Sequence, residues 1–275
     1  MIDFSSVPDR RAVLSIQSAV IYGAVGNDAA MAVYAHFELS AFRLDTVRLA
    51  AHPGFGEMYA AITPADALDR LLENFFRLDA AKTLGFIQTG YLGDASQVPV
   101  LAHHITELKT ALPACEYCLD PVMGDAGKLY VDKALSTALI QTLLPLADHL
   151  TPNLFELEIL AGRAISSKDQ AINAADQLRS DYALSSIIVT GIPEDDVMTD
   201  IVITDDGIAE HSHRRELSGV SGAGDMFTAC YLAGLSSGLT AHLAAHQASE
   251  AVTQCTRLAA DRRTLPVAEW LASQS

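Results

Sequence analysis

The sequence predicts an α/β fold: a three-layer, doubly wound, mainly parallel sheet with helices on both faces. One domain over residues 1–275 is expected. Three observations lead there. Strand-like and helix-like segments alternate along the whole chain, with no linker and no internal repeat. Half of the 275 residues are hydrophobic and only 7% are aromatic, which suits a packed core and tightly packed helices and argues against disorder. Polar groups recur just after the apolar strands, where ligands bind in such sheets.

The elements follow in order. Ala12 to Ile16 reads as a buried strand, Asn27 to Leu39 has helical spacing, and Phe42 to Val47 is a short strand. A helix is expected from Pro64 to Leu78, with Thr63 as N-cap and Pro64 at the first helical position. Thr83 to Gln88 is a strand ending at Thr89-Gly90, and Ser96 to Leu112 is a helix stopped by Pro113. Glu116 to Leu119 is a strand ending at Asp120-Pro121, and Asp132 to Leu144 is a helix stopped by Pro145. Ala147 to Leu150 is a short strand before Thr151-Pro152; Asn153 to Ala161 is a helix closed by Gly162. Ser167 to Tyr182 is a helix, and Ser186 to Thr190 is a strand of β-branched residues. Ile201 to Thr204 and Ile208 to His213 form a hairpin around Asp205-Asp206-Gly207, and helices from Gly222 and Thr240 close the chain.

The net charge of −16 opposes nucleic acid and anionic membranes as partners. No apolar run is long enough to span a bilayer, and Met1 to Arg11 shows no signal-like core, so a cytoplasmic protein is expected. The four cysteines fit reduced thiols. Cys115 and Cys118 form a CxxC, but it enters a strand and has neither a second CxxC nor a nearby His pair to complete a metal set. The nine histidines show no metal-ligand spacing; His103 and His104 read as surface or packing residues on a helix.

The most telling segment is Gly219-Val220-Ser221-Gly222-Ala223-Gly224-Asp225, which runs into an apolar helix from Met226 to Leu235. A helix start offers free N–H groups and the positive end of its dipole. Gly222 and Gly224 let a phosphate approach the backbone. A carboxylate beside such an anion cradle suits the removal of a proton from a hydroxyl that attacks phosphorus. A Gly-rich turn with Asp225 stabilising a helix start is the plainer alternative.

Two further loops bear on that choice. Asp120-Pro121-Val122-Met123-Gly124-Asp125 carries two carboxylates, and Thr151-Pro152-Asn153-Leu154-Phe155-Glu156 an amide and a third carboxylate. Hard cations take such oxygen ligands, as the site of a nucleotide-using kinase requires. Taken singly, Asp120, Asp125 and Asn153 also fit a strand end, a turn and a helix cap.

In this order, Ser15-Ile16-Gln17-Ser18, Tyr22-Gly23…Val25-Gly26-Asn27, His52-Pro53-Gly54-Phe55-Gly56, Thr89-Gly90-Tyr91-Leu92-Gly93, Asp120 to Asp125, Thr151-Pro152-Asn153…Glu156-Leu157-Glu158 and Gly222-Ala223-Gly224-Asp225 resemble the motifs of pyridoxal kinases, members of the ribokinase-like superfamily. The likeness runs from about Val13 to about Leu235. It implies transfer of the γ-phosphoryl of ATP to the 5′-hydroxymethyl of pyridoxal, pyridoxine or pyridoxamine, with Mg²⁺ and a monovalent cation, K⁺ or Na⁺, in a homodimer.

By the same resemblance Asp225 is the catalytic base, and the Gly222, Ala223 and Gly224 amides form the anion hole. Ser18, Val25 and Tyr91 meet the pyridine ring. Asp125 and Glu156 mark the magnesium region, Asp120 and Thr151 the monovalent-cation region, and Tyr130, Asn153 and Thr190 the nucleotide side. Two positions depart from the family pattern: Ala19 stands where a His is usual, and Pro53 where a Thr often follows the His of the substrate loop. Both departures remove polar contacts to the ring. A hydroxymethylpyrimidine kinase, a sugar kinase and a B6-vitamer binder without catalysis are the alternatives. Arg214 and Arg215 read as phosphate contacts or as a solvated pair, and Arg262-Arg263 as a solvated pair.

Overall fold

A computed structural model describes residues 11–56, 59–214, 220–259 and 263–274. Its strands are β1 (Ala12–Tyr22), β2 (Ala41–Ala51), β3 (Ala60–Ile62), β4 (Leu84–Thr89), β5 (Glu116–Leu119), β6 (Gly124–Asp125), β7 (Lys128–Leu129), β8 (His149–Leu150), β9 (Ser186–Glu194), β10 (Val197–Thr204) and β11 (Gly207–Arg214). The helices are α1 (Asn27–His36), α2 (Ala65–Phe75), α3 (Gln97–Ala111), α4 (Lys133–Ala138), α5 (Leu154–Ala161), α6 (Lys168–Tyr182), α7 (Ala223–Ser236), α8 (Ala241–Ala259) and α9 (Val267–Ser273). Nine strands form one sheet in the order β11-β10-β9-β8-β5-β4-β1-β2-β3, and β6-β7 form a small ribbon outside it. From β9 to β2 every neighbouring pair is parallel; β3, β10 and β11 join antiparallel at the edges.

The three layers follow from alternation along the central strands. Leu14, Ile16, Ile87, Leu119, Ile187 and Val189 face one core, shared with Leu72 of α2, Leu101 of α3, Leu135 of α4, Leu157 of α5 and Leu178 of α6. Val13, Phe86, Cys118 and Ile188 face the other, with Val33 of α1, Phe227 of α7, Ala248 of α8 and Trp270 of α9. Side chains two apart share a face of a strand, so a sheet buried on both sides reads as a continuous apolar run.

Some element boundaries differ from the sequence reading, each for a local reason. The first strand runs on to Tyr22, so Ser18 lies inside it. Gln17 pairs with Asp45 but Ala19 with Arg48, so Thr46 and Val47 of β2 oppose the single Ser18. Such a bulge re-aims a side chain at the sheet rim. Thr63 does not cap α2: its hydroxyl donates to Asp45 O at 2.7 Å, and Pro64 takes the N-cap position. Pro145 does not simply stop a helix. With no N–H to give, it follows α4 by way of a π turn at Leu139–Leu143 and sits in a 3₁₀ turn at Leu144–Leu146. Thr190 and Gly191 lie within β9, which bends there with Gly191 at φ 71°. Strand β3, the ribbon β6-β7 and helix α9 are short elements without a strong period.

Candidate active site

The chain reverses its direction of winding between β1 and β4. It lays β2 and β3 on one side of β1, then returns to build β4, β5, β8 and β9 on the other. A crevice opens at the carboxyl ends of strands where the order reverses. Ser18 sits there on β1 and Tyr91 just after β4. Backbone hydrogen bonds prolong the ladder along this rim: Gly90 N to Ile16 O at 3.2 Å, Asp120 N to Thr89 O at 3.0 Å, Thr151 N to Leu119 O at 3.1 Å and Thr190 N to Pro152 O at 2.9 Å. Five segments that are far apart in sequence thus meet along one rim.

Beneath Ser18 and Tyr91 lies a buried polar layer. Asn27, at the start of α1, accepts from Ser15 Oγ at 2.8 Å and donates to Leu44 O at 3.0 Å and Asp45 Oδ1 at 2.9 Å. It holds the Tyr22–Gly26 loop against the rim, with Val25 8% exposed. Gly26 lies so close to Ser18 that a Cβ there would meet Ser18 O at 2.3 Å. Tyr91 is half-buried, and Thr46 Oγ1 donates to its carbonyl at 2.7 Å.

Helix α7 brings its N-terminus to the same rim. Gly222 caps it in a left-handed conformation, φ 101°, with no side-chain cap. That conformation is costly for a residue with a Cβ. A Cβ on Gly222 would also lie 2.1 Å from Ala24 O, so the turn packs directly on the loop after β1. Ala223, Gly224 and Asp225 form the first turn, where N–H groups have no partner within the helix. Burial raises the pKa of the Asp225 carboxyl, and the Gly26 amide hydrogen-bonded to it acts in the opposite direction. A carboxylate with a raised pKa is a better base.

Three carboxylates crowd this end of the sheet. Asp120 is 4% exposed, and its pKa stands well above the ordinary range, chiefly through burial and then through the charges of Glu156 and Asp225. Thr228, one turn after Asp225 on α7, donates to Asp120 Oδ2 at 3.3 Å and lies 3.0 Å from the Thr151 hydroxyl. Thr228 was missed in the sequence because it hides in an apolar run; its spacing of three from Asp225 was the available signal. Glu156 is pushed up to about 8 by burial, although backbone amides oppose the shift. Its oxygens accept from Met123 N at 3.0 Å, Gly124 N at 3.5 Å and Asn153 N at 3.0 Å.

Glu156 and Asn153 therefore hold the loop rather than reach out of it. They form a capping box on α5, and Asn153 Nδ2 also donates to Gly124 O at 2.9 Å. Asn153 is bridged to Thr190 of β9 through the backbone. Asp125 is exposed on the β6-β7 ribbon that these contacts anchor, and Tyr130 is exposed just after it. Partial burial and the Asp125 and Glu156 charges raise the pKa of the Tyr130 hydroxyl.

The shifts make a testable statement about stability. Asp120, Glu156 and Asp225 hold their protons more tightly folded than unfolded. Stability from this source is present below the ordinary carboxylate range and is lost as pH rises toward about 8, the value for Glu156. The thermal midpoint in cation-free buffer should fall between about pH 5 and about pH 8, and added Mg²⁺ and K⁺ should restore it more at the upper pH. A midpoint that rises over this range without cations would contradict the crowding.

On the other wall, the loop after β2 folds into a 3₁₀ turn at Pro53–Phe55 beneath His52. Arg263 was expected to be solvated, yet it donates to Gly54 O at 3.3 Å and its guanidinium lies 5.6 Å from the Phe55 ring centre. Gly219, Arg215 and Arg262, and the Met1–Arg10 reading, fall outside the described residues. Arg214 ends β11 and is exposed. All four cysteines are free and buried, and burial pushes the Cys115 thiol up to about 12. Such thiols are poor nucleophiles and poor metal ligands. His104 is buried and bonded to Asp69 at 2.7 Å. Contrary to the sequence reading, one His-containing group does come together: His103, His104 and Glu107 bring donor atoms within 4.8 Å of one another.

A family model described as phosphomethylpyrimidine kinase matches residues 63–267. A pyridoxine/pyridoxal/pyridoxamine kinase of Bordetella bronchiseptica is 34% identical over 232 residues, 82% of this chain and 81% of the relative. Among solved structures, a pyridoxal kinase from Entamoeba histolytica superposes with a TM-score of 0.90 at 23% identity, covering 96% of this chain and 95% of that one. At that identity the likeness is one of fold. A pyridoxal kinase from Leishmania donovani, solved with ADP and pyridoxine, superposes with a TM-score of 0.88 at 25% identity, over 96% of this chain and 95% of that one. Among the described residues, no helix is long and apolar enough to cross a membrane.

Proposed function

The chain belongs to the pyridoxal kinase family of the ribokinase-like superfamily, and from that premise we propose that it is one kinase domain moving the γ-phosphoryl of ATP to the 5′-hydroxymethyl of a B6 vitamer. One observation carries the reading: a carboxylate with a raised pKa, Asp225, stands in the first turn of α7, over the crevice between β1 and β4.

The residues divide the work by position. Ser18, Val25 and Tyr91 orient the pyridine ring at the β1/β4 rim. Asp225 takes the hydroxyl proton as the oxygen attacks. The Gly222, Ala223 and Gly224 amides donate to the migrating phosphoryl, where fixed dipoles act without reorganisation. Asn153, Thr190 and Tyr130 flank the nucleotide. ATP fits the Gly-rich start of α7, whose N–H groups and dipole favour an anion.

The donor set also fits cations. The charges of Glu156 and Asp225 raise the Asp120 pKa and that of Asp125 raises Glu156, a crowding that positive charge relieves. Asp125, exposed on the β6-β7 ribbon, is the open ligand for Mg²⁺; Glu156, whose oxygens already accept from three amides, contributes charge and holds the loop. Asp120, with the hydroxyls of Thr151 and Thr228, suits a K⁺ or Na⁺ ion. When bound there, Mg²⁺ would neutralise charge on the ATP phosphates. A cytoplasmic homodimer belongs to the same proposal, and light scattering at micromolar chain concentration tests the oligomeric state.

A kinetic survey tests the substrate. Pyridoxal, pyridoxine, pyridoxamine and hydroxymethylpyrimidine are offered in parallel with ATP and Mg²⁺. At least one B6 vitamer should be turned over with kcat/KM at least about tenfold above hydroxymethylpyrimidine, the discrimination of about 1.4 kcal/mol that one or two ring contacts supply. Preference for the pyrimidine alcohol would move the chain to that specificity. Vitamer binding without ATP consumption would make it a carrier.

A further inference from the structure

The imidazole of His52 is turned into the protein. The residue is 6% exposed, and both ring nitrogens are engaged. Gly54 N–H points at Nδ1 at 3.1 Å, and the Ser221 hydroxyl reaches the same atom at 3.1 Å. Nε2 lies 3.1 Å from Arg263 O. Two donors at Nδ1 need a lone pair there, and a carbonyl at Nε2 needs a hydrogen. Together they select the neutral Nε2–H tautomer.

The contacts close a cycle. The Arg263 carbonyl that faces His52 also accepts from Ser221 N at 3.2 Å. Ser221 is thus held by its N–H and its hydroxyl at once, and it immediately precedes Gly222. Leu265 N donates to Ser221 O at 3.4 Å, and Ala24 N donates to Thr264 Oγ1 at 2.9 Å, so the 263–265 segment ties the start of α7 to the loop after β1. Toward the vitamer side, Arg263 binds Gly54 O, and the Phe55 ring packs on His52 at 4.7 Å and Tyr22 at 5.6 Å.

We propose that His52 is a positioning residue for phosphoryl transfer: through Ser221 it fixes the Gly222–Gly224 amides relative to the Pro53–Phe55 turn. This rests on the kinase reading of the site. The imidazole has no free polar atom for the vitamer, so its effect belongs in the turnover step. Misplacing donors by about 1 Å is enough to cost on the order of 100-fold in rate.

The test is a double-mutant cycle with steady-state kinetics in the full chain. His52→Ala should lower kcat by about 10- to 100-fold and leave the vitamer KM within about twofold. Ser221→Ala, a milder change, should move kcat in the same direction, and the double variant should fall no further than His52→Ala alone. His52→Asn keeps an acceptor near Nδ1 and should recover more activity than His52→Gln, which keeps only a donor near Nε2. Circular dichroism and thermal midpoints establish that each variant is folded. A raised vitamer KM with intact kcat in His52→Ala would overturn the proposal, as would losses that multiply independently. If the wild type phosphorylates none of the alcohols, the kinase reading itself fails. Affinity for a non-hydrolysable ATP analogue then reads the His52 link; both single variants should bind it about tenfold more weakly, and unchanged affinity would overturn the link.

Discussion

Replacing Asp225 by Asn should cut kcat by about 10²- to 10⁴-fold while the protein stays folded and still binds ATP and the vitamer. Asparagine has the same shape, and its Oδ1 can still accept the Gly26 amide that faces the carboxylate. What it loses is the capacity to take a proton. It also removes one of the charges that raise the Asp120 pKa, so binding of the anionic nucleotide should not weaken. Steady-state kinetics with vitamer titrations, and calorimetry for ATP, separate these effects. A variant with near-normal kcat would take Asp225 out of the base role.

The second large effect is expected at Gly222. Gly222→Val places a branched side chain on a residue with φ 101°, where its Cβ would meet Ala24 O at 2.1 Å. Neither partner is a flexible side-chain end; both are backbone, so the start of α7 and the Ala24 loop must move apart. Strain at such a position costs on the order of 1–3 kcal/mol. The greater consequence falls on the anion hole, since the loss of one well-placed donor costs about 10²- to 10³-fold in kcat. ATP use should therefore fall far more than vitamer binding, because Ser18 and Tyr91 are carried by β1 and the loop after β4. Gly222→Ala should show the same pattern in smaller measure. An equal loss on both substrates, with an unchanged thermal midpoint, would refute the account.

Among the parts of this site, Asp225 and the glycines before it were legible because their chemistry is local. Free amides, a left-handed glycine and an adjacent carboxylate arise within one helical turn. The carboxylate loops were legible in the same way, as polar residues that follow short apolar strands. Asn153 and Glu156 show the limit of that legibility. As residue types they suit ligands, but the capping box and the Gly124 contacts occupy their polar atoms. Residue type gives capacity, and only packing shows whether a lone pair is free.

The sequence by itself determined the layer order of this molecule. Short continuous apolar runs, separated by helical stretches, leave a parallel sheet covered on both faces as the arrangement that buries them. It also determined, through the resemblance carried by its ordered motifs, the family and the class of reaction. Tertiary structure alone decided which distant residues share a site. Thr228 meets Asp120 because α7 crosses the sheet end at that height. Arg263 meets Phe55, and His52 meets Ser221, because the segment before α9 lies against the 3₁₀ turn and the Gly-rich loop. Periodicity records which face of an element is buried, whereas contacts between side chains 100 residues or more apart depend on how whole elements pack, which no local pattern encodes.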